Sequence, residues 1–404
     1  MAGQTGVSCT MQGRKILFGV TGSIAAFKAA GWVHALAKEE AQVSVVMTRS
    51  ATRFISSLTF GALSGKKVYT DMFAEGEGEA MAHIILPRTT DAVLVAPATA
   101  QTIARLAHGM ADDLLSTAVL ACTAPVVICP AMNSNMLEHP ATQRNVDTLK
   151  ELGYQVVEPA SGLLACGDEG AGRLPEWDGV REILLGLFAG NDLAGQKVLL
   201  TAGPTREPLD PARYLSNRSS GKMGYALART ARRRGAHVTL ISGPVQLDPP
   251  PGANIVQVST AREMEEAVRE HAVSASVIVK AAAVADFRPK KNSKQKIKKA
   301  GADPYLELTA NPDILAGLGR KRKDNQILVG FAAESNNHEA EGLRKLKDKN
   351  VDLMVVNDIL GKKTGFDVDT NQVTLISHDG VEHLALMSKE ETANRIWDRV
   401  VSLL

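Results

Sequence analysis

The chain opens in the same way twice. Residues 12–22 and 194–204 each contain a Gly-x-Lys turn, a short apolar run and a loop with Gly and Thr that leads into a helix. Two such starts about half a chain apart predict two α/β domains, because each start resembles the first strand, loop and helix of an alternating unit. The turn-rich segment 189–195 sets the boundary, which divides the chain into residues 1–190 and 191–404.

Short apolar segments alternate with helical stretches in both halves. The predicted strands are 15–20, 42–47, 91–96, 126–130 and 155–157, then 197–201, 237–242, 275–280, 326–331 and 352–356. Near-continuous apolar strands are typical of a parallel sheet covered by helices on both faces. An Asp-Gly turn at 379–380 predicts a small hairpin near the C-terminus. The predicted fold class is therefore α/β, with two doubly wound domains of flavodoxin-like or Rossmann-like type and mainly parallel sheets.

Composition excludes several other classes of protein. Hydrophobic residues make up 45% and charged residues 22% of the chain, the proportions of a globular rather than a disordered protein. A net charge of +2 argues against a broad nucleic-acid surface. Four cysteines without a Cys-x-x-Cys pair indicate neither a disulfide framework nor a structural zinc site. Prolines and polar residues interrupt the uncharged segment 114–136, and no signal peptide is recognisable, so we expect a cytoplasmic protein without a membrane span.

Three loops of the first half follow predicted strand ends, where parallel sheets bind their ligands. These loops, 19–28, 96–102 and 130–136, are rich in glycine, hydroxyl and amide groups. The first could hold a phosphate with helix N-terminal amides and the hydroxyls of Thr21 and Ser23, although a plain strand-to-helix turn explains it about as well. The other two could bind a planar polar ring and a carboxylate, or could simply cap helices. The Gly-x-Gly-x-x-Gly pattern is absent, which disfavours NAD.

Together these loops resemble those of the flavin-containing cysteine decarboxylases, which bind FMN. The likeness rests on Gly-x-Thr-Gly-Ser-Ile-Ala-x-Phe-Lys at 19–28, Pro-Ala-Thr-Ala-Gln-Thr at 97–102 and Pro-Ala-Met-Asn-Ser-Asn-Met at 130–136. Gln101 stands where that family more usually has Asn or Asp. The resemblance implies that FMN is held by Gly19, Thr21, Gly22, Ser23, Ile24, Thr48, Pro97, Ala98 and Thr99.

The same resemblance implies roles in decarboxylation. His83 would act as general base, Asn133 would hold the substrate carboxylate, and Cys166 would donate a proton to an ene-thiol intermediate. Oxidation of the substrate's cysteine side chain to a thioaldehyde would provide the electron sink that CO₂ loss requires, and FMN would carry that redox step. Arg173 ends the segment 164–173 that would clamp the substrate, and Leu174 replaces a methionine common in the family. Without the resemblance, a lone histidine or cysteine is more often structural.

The longest polar stretch, 201–224, follows the first strand of the second half and is predicted to be a loop. Its cationic residues are Arg206, Arg213, Arg218 and Lys222. They predict an anion site beside a helix N-terminus, although no Walker A pattern is present. A second cationic run at 288–299 contains no acidic residue and no aromatic residue. It is better interpreted as a flexible lid over a triphosphate than as an RNA-binding tail.

This half resembles the phosphopantothenate–cysteine ligases through Arg-Glu-Pro-x-Asp-x-x-Arg-x-x-Ser-Asn-x-Ser-Ser-Gly-Lys-Met-Gly at 206–224. In that family CTP activates the carboxylate of 4′-phosphopantothenate as an acyl-cytidylate, and the amine of cysteine then displaces CMP. The resemblance implies that Lys296 neutralises charge during cytidylylation and that Asn217 holds the acyl intermediate. It also implies substrate and nucleotide contacts from Arg213, Lys280, Ala281, Ala282, Asp286, Pro312, Asp313, Ile314, Leu315, Phe331, Lys345 and Lys349.

The two resemblances together imply a bifunctional enzyme of coenzyme A biosynthesis. Its cofactors would be FMN and, together with CTP, magnesium (Mg²⁺), for which the sequence identifies no ligands. Its partners would be 4′-phosphopantothenate, cysteine, CTP and further copies of the chain in a homo-oligomer. Two alternatives are a flavin-binding regulatory protein and an NAD-dependent oxidoreductase with two Rossmann-like domains. The first predicts the loss of His83, Asn133 or Cys166, and the second predicts a dinucleotide motif; neither is observed.

Overall fold

The computed structural model describes residues 10–73, 81–164, 167–298, 305–334, 338–358 and 368–404. The chain forms two compact units, an N-terminal unit of Cys9–Phe188 and a C-terminal unit that contains Ala189–Leu404.

The N-terminal unit contains a six-stranded parallel sheet. Its strands are β1 Lys15–Val20, β2 Gln42–Met47, β3 Val68–Tyr69, β4 Ala92–Ala98, β5 Val126–Pro130 and β6 Gln155–Val156. They pair in the order β3-β2-β1-β4-β5-β6. The order reverses direction between β1 and β4, and such a switch point opens a crevice at the carboxyl ends of the strands. An antiparallel hairpin, β7 Ala160–Leu163 and β8 Glu169–Arg173, follows the sheet.

Helices cover the sheet of the N-terminal unit. They are α1 Ala26–Lys38, α2 Ser57–Ser64, α3 Ala82–Arg88, α4 Ala100–Ala107, α5 Leu114–Leu120, α6 Ser134–Glu138, α7 Pro140–Glu151 and α8 Trp177–Phe188. Leu17 and Phe18 are neighbours in β1 and point to opposite faces, yet both are fully buried. Burial on both faces explains why the strands are continuous apolar runs.

The C-terminal unit contains an eight-stranded sheet in the order β13-β12-β9-β14-β17-β18-β20-β21. The strands of this unit are β9 Lys197–Ala202, β10 Arg206–Asp210, β11 Arg213–Ser216, β12 His237–Ser242, β13 Asn254–Gln257, β14 Val277–Lys280, β15 Phe287–Pro289, β16 Leu308–Ala310, β17 Ile327–Glu334, β18 Leu353–Asp358, β19 Thr370–Asn371, β20 Val373–Ser377, β21 Gly380–His383 and β22 Met387–Ser388. The first six strands of the sheet are parallel, and β20 and β21 add to its edge antiparallel.

The helices of the C-terminal unit pack on this sheet. They are α9 Lys222–Arg233, α10 Ala261–Ala272, α11 Ile314–Lys321, α12 His338–Asp348 and α13 Lys389–Val401. Trp397 of α13 is fully buried, and its Nε1 donates hydrogen bonds to the Leu227 carbonyl at 3.1 Å and to Thr230 Oγ1 at 3.0 Å. The last helix is thereby joined to α9, the first helix after the polar segment.

The α/β class with parallel sheets and a C-terminal hairpin is confirmed, but one predicted element is wrong. Part of the stretch 201–224, predicted as a loop, forms the antiparallel hairpin β10–β11. The two most buried residues of β10 are the charged Glu207 and Asp210, at 2% and 4% exposure. Hydropathy does not reveal this strand because its inward-facing residues are acidic rather than apolar.

Candidate active sites

In the N-terminal unit, one buried hydroxyl joins the loops after β1 and β4. Thr21 is 1% exposed. Its Oγ1 donates to the Pro97 carbonyl at 2.6 Å and accepts the backbone N–H of Thr99 at 3.0 Å. Thr99 in turn caps α4 by accepting the N–H of Thr102. The hydroxyl of Thr21 therefore holds two loops of the crevice together.

The loops after β2 and β5 complete this edge. Gly22 lies so close to the loop after β2 that a Cβ on it would be 2.4 Å from Ser50 Cβ. Thr48 of that loop donates its backbone N–H to the Val20 carbonyl at 3.0 Å. On the other side, the N–H of Ala131 donates to the carbonyl of Ala98 at 3.0 Å. The strand ends that the sequence predicts to form a ligand site thus lie side by side.

A cavity of about 460 Å³ opens beside these loops. It is lined by Ser23, Ile24, Ala25, Phe27, Lys28, Ala131, Met132, Asn133, Leu163, Leu164, Gly172, Arg173 and Leu174. Ile24 and Phe27 are 56% and 63% exposed, which is unusual for side chains of this size. The cavity therefore combines a glycine-rich strand-to-helix loop, which suits a phosphate, with apolar side chains that suit a planar ring.

The hairpin β7–β8 is held against the loop after β5. The N–H of Met132 donates to the Gly172 carbonyl at 3.0 Å, and Ser134 Oγ donates to the Ala171 carbonyl at 2.7 Å. Gly172 has φ of +132°, and a Cβ there would lie 2.2 Å from the carbonyl oxygen of Met132. This position therefore needs glycine.

Asn133 lies between that hairpin and α6. Its Oδ1 caps α6 by accepting the N–H of Asn135 at 2.9 Å, and its Nδ2 donates to Asp168 Oδ2 at 3.4 Å. The Leu164 N–H donates to the Asp168 carbonyl at 2.7 Å, which closes the turn of the hairpin. Cys166 lies outside the described residues.

His83 is not among the residues that line this cavity. It lies on α3, which packs against α5. Its Nδ1 is buried and has no hydrogen-bond partner among the residues that the structure describes. A buried ring nitrogen without a partner needs an explanation, such as a group that another molecule supplies.

In the C-terminal unit, the loop after β14 is hydrogen-bonded to the loop after β9. The N–H of Ala282 donates to Thr201 Oγ1 at 3.2 Å, and the N–H of Ala285 donates to Thr205 Oγ1 at 3.1 Å. Asn217 Nδ2 donates to the Val284 carbonyl at 3.0 Å, so the predicted catalytic amide lies beside the same loop. Ala281 and Asp286 belong to this loop as well.

The segment before α11 is joined to this frame. Asn311 donates its N–H to the Asp286 carbonyl and its Nδ2 to the Ala285 carbonyl, both at 2.8 Å. Pro312 follows directly. The side chains of Ile314 and Leu315 are 4% and 3% exposed, because they belong to the core. Only their backbone groups could contact a nucleotide.

Four charged residues lie together at the end of β14. Burial and the positive charge of Lys349 lower the pKa of Lys280 to about 8, whereas the carboxylates of Asp313 and Asp286 favour its protonated form. Lys349 Nζ forms an ion pair with Asp313 Oδ2 at 3.2 Å. The N–H of Lys349 donates to the Lys345 carbonyl at 3.1 Å, so these two lysines share one face at the end of α12. Phe331 of β17 is partly buried against the core of the unit.

Arg213 is bound within the protein. Its Nε and Nη2 donate to Asp210 Oδ2 at 3.0 and 2.5 Å, and Nη2 also donates to the Ile297 carbonyl at 3.0 Å. Asp210 and Glu207 are the residues that the sequence interpretation missed. Glu207 accepts the N–H of Ala261 at 2.9 Å at the start of α10. Both acidic residues belong to the 206–224 motif, and their presence there is the feature of the sequence that could have identified them.

Two negative findings apply to the part of the chain that the structure describes. Within it, no three His, Cys, Asp or Glu residues are grouped so that they could hold a metal ion. None of its helices is long and apolar enough to cross a membrane.

Comparisons with known proteins assign a family model to each half of the chain. Residues 5–189 match the family model described as flavoprotein, and residues 193–404 match the DNA/pantothenate metabolism flavoprotein C-terminal domain. These two matches define a two-domain flavoprotein of pantothenate metabolism. The coenzyme A biosynthesis bifunctional protein CoaBC of Bacillus subtilis (strain 168) is 46% identical over 398 residues, which cover 97% of this chain and 98% of that protein. The chain belongs to the CoaBC family, which confirms the family expected from the sequence.

A second curated relative gives the same family. CoaBC of Mycobacterium tuberculosis (strain ATCC 25618 / H37Rv) is 46% identical over 408 residues, 97% of either chain. A solved structure of the C-terminal domain of a CoaBC protein is 42% identical and covers 53% of this chain and 98% of that one, with a TM-score of 0.46.

Proposed function

We propose that the C-terminal unit joins 4′-phosphopantothenate to cysteine with CTP and that the N-terminal unit decarboxylates the product to 4′-phosphopantetheine with FMN. The observation that carries this proposal is the identity of 46% to a bifunctional CoaBC protein over nearly the whole chain. The presence of a separate site at the carboxyl edge of each parallel sheet supports a division of the two reactions between the units.

The residues of the N-terminal cavity fit a bound FMN. Gly22 leaves room for close backbone approach, Ser23 offers a hydroxyl, and Ile24 and Phe27 present exposed apolar surface. When bound, FMN would accept the electrons released by oxidation of the substrate thiol, which makes the loss of CO₂ possible.

The chain's own residues would orient the substrate and move protons. Asn133 lines the cavity and would donate its amide N–H to the substrate carboxylate until CO₂ leaves. Arg173 lines the same cavity and would balance negative charge on the substrate. Cys166 would then protonate the ene-thiol carbon.

We propose further that the decarboxylase site is shared between copies of the chain in a homo-oligomer. His83, the expected general base, does not line the cavity of its own chain, and its Nδ1 lacks a partner among the described residues. Large apolar side chains are exposed on the N-terminal unit, among them Phe54, Leu58, Phe73, Met81 and Ile85. An apolar surface of this kind is typical of an interface between subunits.

In the C-terminal unit, Lys280 and Lys349 would bind the triphosphate of CTP, and Mg²⁺ would join it, held mainly by phosphate oxygens and water. Lys296 would neutralise the charge that develops as the carboxylate of 4′-phosphopantothenate attacks the α-phosphorus and pyrophosphate leaves. Asn217 would hold the acyl-cytidylate while the amine of cysteine forms the C–N bond and CMP departs. The cytoplasmic location stays a prediction.

The decarboxylase assignment is testable with matched variants of Asn133. Purified protein should show flavin absorbance and release CO₂ from 4′-phosphopantothenoylcysteine in a single anaerobic turnover. Asn133→Ser retains a side chain that caps α6 but loses the amide, so it should keep the flavin and lose decarboxylation. A colourless protein that takes up no FMN would contradict the flavin assignment, and full activity in Asn133→Ser would remove that residue from carboxylate binding.

A further inference from the structure

We propose that Asp210 is a positioning residue that fixes the cationic segment, residues 290–298, so that Lys296 is held in place for cytidylylation. The proposal rests on the role of Lys296 given above and adds a residue to which the sequence motif assigns none. It joins the hairpin β10–β11 to a segment some eighty residues further along the chain.

The carboxylate of Asp210 is the centre of a hydrogen-bond network. Its side chain is fully buried. Oδ1 accepts the backbone N–H groups of Ala212 at 2.8 Å and Arg213 at 2.9 Å. Oδ2 accepts Arg213 Nε and Nη2 and, in addition, the backbone N–H of Ile297 at 3.1 Å. A carboxylate has about four lone-pair sites, so the acceptor capacity of Asp210 is used up.

Both backbone polar groups of Ile297 are bound by the same ion pair. Its N–H donates to Asp210, and its carbonyl accepts Arg213 Nη2 at 3.0 Å. Lys296 is the residue immediately before Ile297, so its Cα is fixed relative to the hairpin while its long side chain remains exposed. A point charge on a flexible stem that starts from a fixed backbone position can reach a defined place in a site.

A second anchor lies three residues before Lys296. The backbone N–H of Ser293 donates to the carbonyl of Leu209 at 3.0 Å. Leu209 and Asp210 are consecutive residues, so one end of the hairpin strand holds the cationic segment at two points. A run of like charges repels itself and is otherwise typical of a mobile, extended chain. The two anchors therefore oppose that tendency on both sides of Lys296.

The Asp210–Arg213 pair could also serve only to stabilise the hairpin, and two variants separate these roles. Asp210→Asn replaces one acceptor oxygen by an N–H donor, which then faces N–H groups of Arg213 or Ile297. Ile297→Pro removes the N–H that reaches Asp210 and leaves the ion pair intact. Because its ring also restricts the backbone of Lys296, its result is interpreted together with that of Asp210→Asn. Ile297→Ala keeps that N–H and is its matched control.

Trypsin cleavage after Lys294, Lys296 and Lys298 measures the order of the segment without any substrate. We expect cleavage after all three lysines to rise severalfold in Asp210→Asn and to stay unchanged in Ile297→Ala. In Ile297→Pro the bond after Lys296 becomes a Lys–Pro bond that trypsin does not cut, so the rise is expected after Lys294 and Lys298 only. Asp352→Asn is a control for the loss of a comparable carboxylate. Asp352 Oδ2 accepts Arg322 Nη1 at 2.5 Å and the Leu328 N–H at 2.8 Å. This carboxylate lies at the amino ends of β17 and β18. Its loss should not expose the cationic segment.

Pyrophosphate release from CTP and 4′-phosphopantothenate measures the function of the full-length enzyme. It should fall about tenfold or more in Asp210→Asn and Ile297→Pro, since small misplacements of catalytic groups reduce rates by such factors. Combining Asp210→Asn with Lys296→Gln should add nothing to the loss in Lys296→Gln alone, because both changes remove the same contribution.

The outcomes are distinguishable. Unchanged cleavage in Asp210→Asn, together with unchanged cleavage after Lys294 and Lys298 in Ile297→Pro, would overturn the anchoring itself. Raised cleavage with unchanged pyrophosphate release, in a protein that Lys296→Gln inactivates, would overturn the positioning role. If Lys296→Gln is itself fully active, the proposed function of Lys296 fails, and with it the catalytic consequence of positioning. Additive losses in the double variant would likewise contradict action through Lys296.

Discussion

Lys280 gives the C-terminal site a pH dependence that follows from its surroundings. Burial and the neighbouring Lys349 lower its pKa from 10.5 to about 8. A bound triphosphate would reverse this effect, because negative phosphate oxygens favour the protonated lysine. Above pH 8, binding of CTP should therefore take up a proton from solution.

The size of the effect follows from the same value. At pH 9 about nine-tenths of a group with a pKa of about 8 is deprotonated. CTP binding at pH 9 should thus take up close to one proton, and the apparent affinity should be about tenfold lower than at pH 7.

The lowered pKa of Lys280 also affects folding stability. The unfolded lysine keeps a higher pKa, so the unfolded state binds more protons between pH 8 and 10.5. The free energy of unfolding should therefore rise across that window, by at most about 3 kcal/mol.

Isothermal titration calorimetry with CTP at pH 7 and pH 9, in two buffers with different ionisation enthalpies, measures affinity and proton uptake together. Lys280→Met should bind CTP more weakly at pH 7 and show no proton uptake from this position. Lys280→Arg keeps the charge at all these pH values and should lose the pH dependence. Equal affinity at both pH values without proton uptake in the unmodified protein, or undiminished uptake in Lys280→Met, would refute the reasoning.

Three further predictions concern single side chains. Gly172→Ala places a methyl group against the Met132 carbonyl at a φ of +132°, which destabilises the hairpin β7–β8 by about 1–3 kcal/mol or more. This variant should lose decarboxylation but keep amide formation. The control Gly179→Ala, whose added methyl group meets open space, should retain both activities. Asn217→Asp should let acyl-cytidylate accumulate in a quench experiment, and undiminished amide formation would exclude Asn217 from the second step. Cys166→Ala should release CO₂ but yield an oxidised ene-thiol product, whereas normal product by mass would disprove the proton-donor role.

The parallel sheets could be predicted from the sequence because their strands are buried on both faces. Apolar runs alone predict β1, β2, β5 and β12 with the bounds that the structure shows. The same logic places the loops after β1 and β4 together, where the Thr21 hydroxyl joins them.

The hairpins β7–β8 and β10–β11 could not be predicted from apolar runs. In β7–β8, Gly170 and Gly172 are required by close contacts with residues after β5, and glycine carries no strand signal. In β10–β11, the buried residues Glu207 and Asp210 are charged, and their partners are distant in sequence, at Ala261 and Ile297. The sequence also does not show that the Arg213 side chain is bound to Asp210. Nor does it show that His83 is absent from the lining of the cavity in its own chain.

The central claim is that one chain carries out both reactions in succession. The most direct measurement incubates the purified protein with 4′-phosphopantothenate, cysteine, CTP and Mg²⁺ and identifies the products by mass. We predict 4′-phosphopantetheine with CO₂, CMP and pyrophosphate in equal amounts, and no product when CTP is omitted. Unchanged 4′-phosphopantothenate, or a cysteine conjugate that keeps its carboxylate in the presence of FMN, would contradict it.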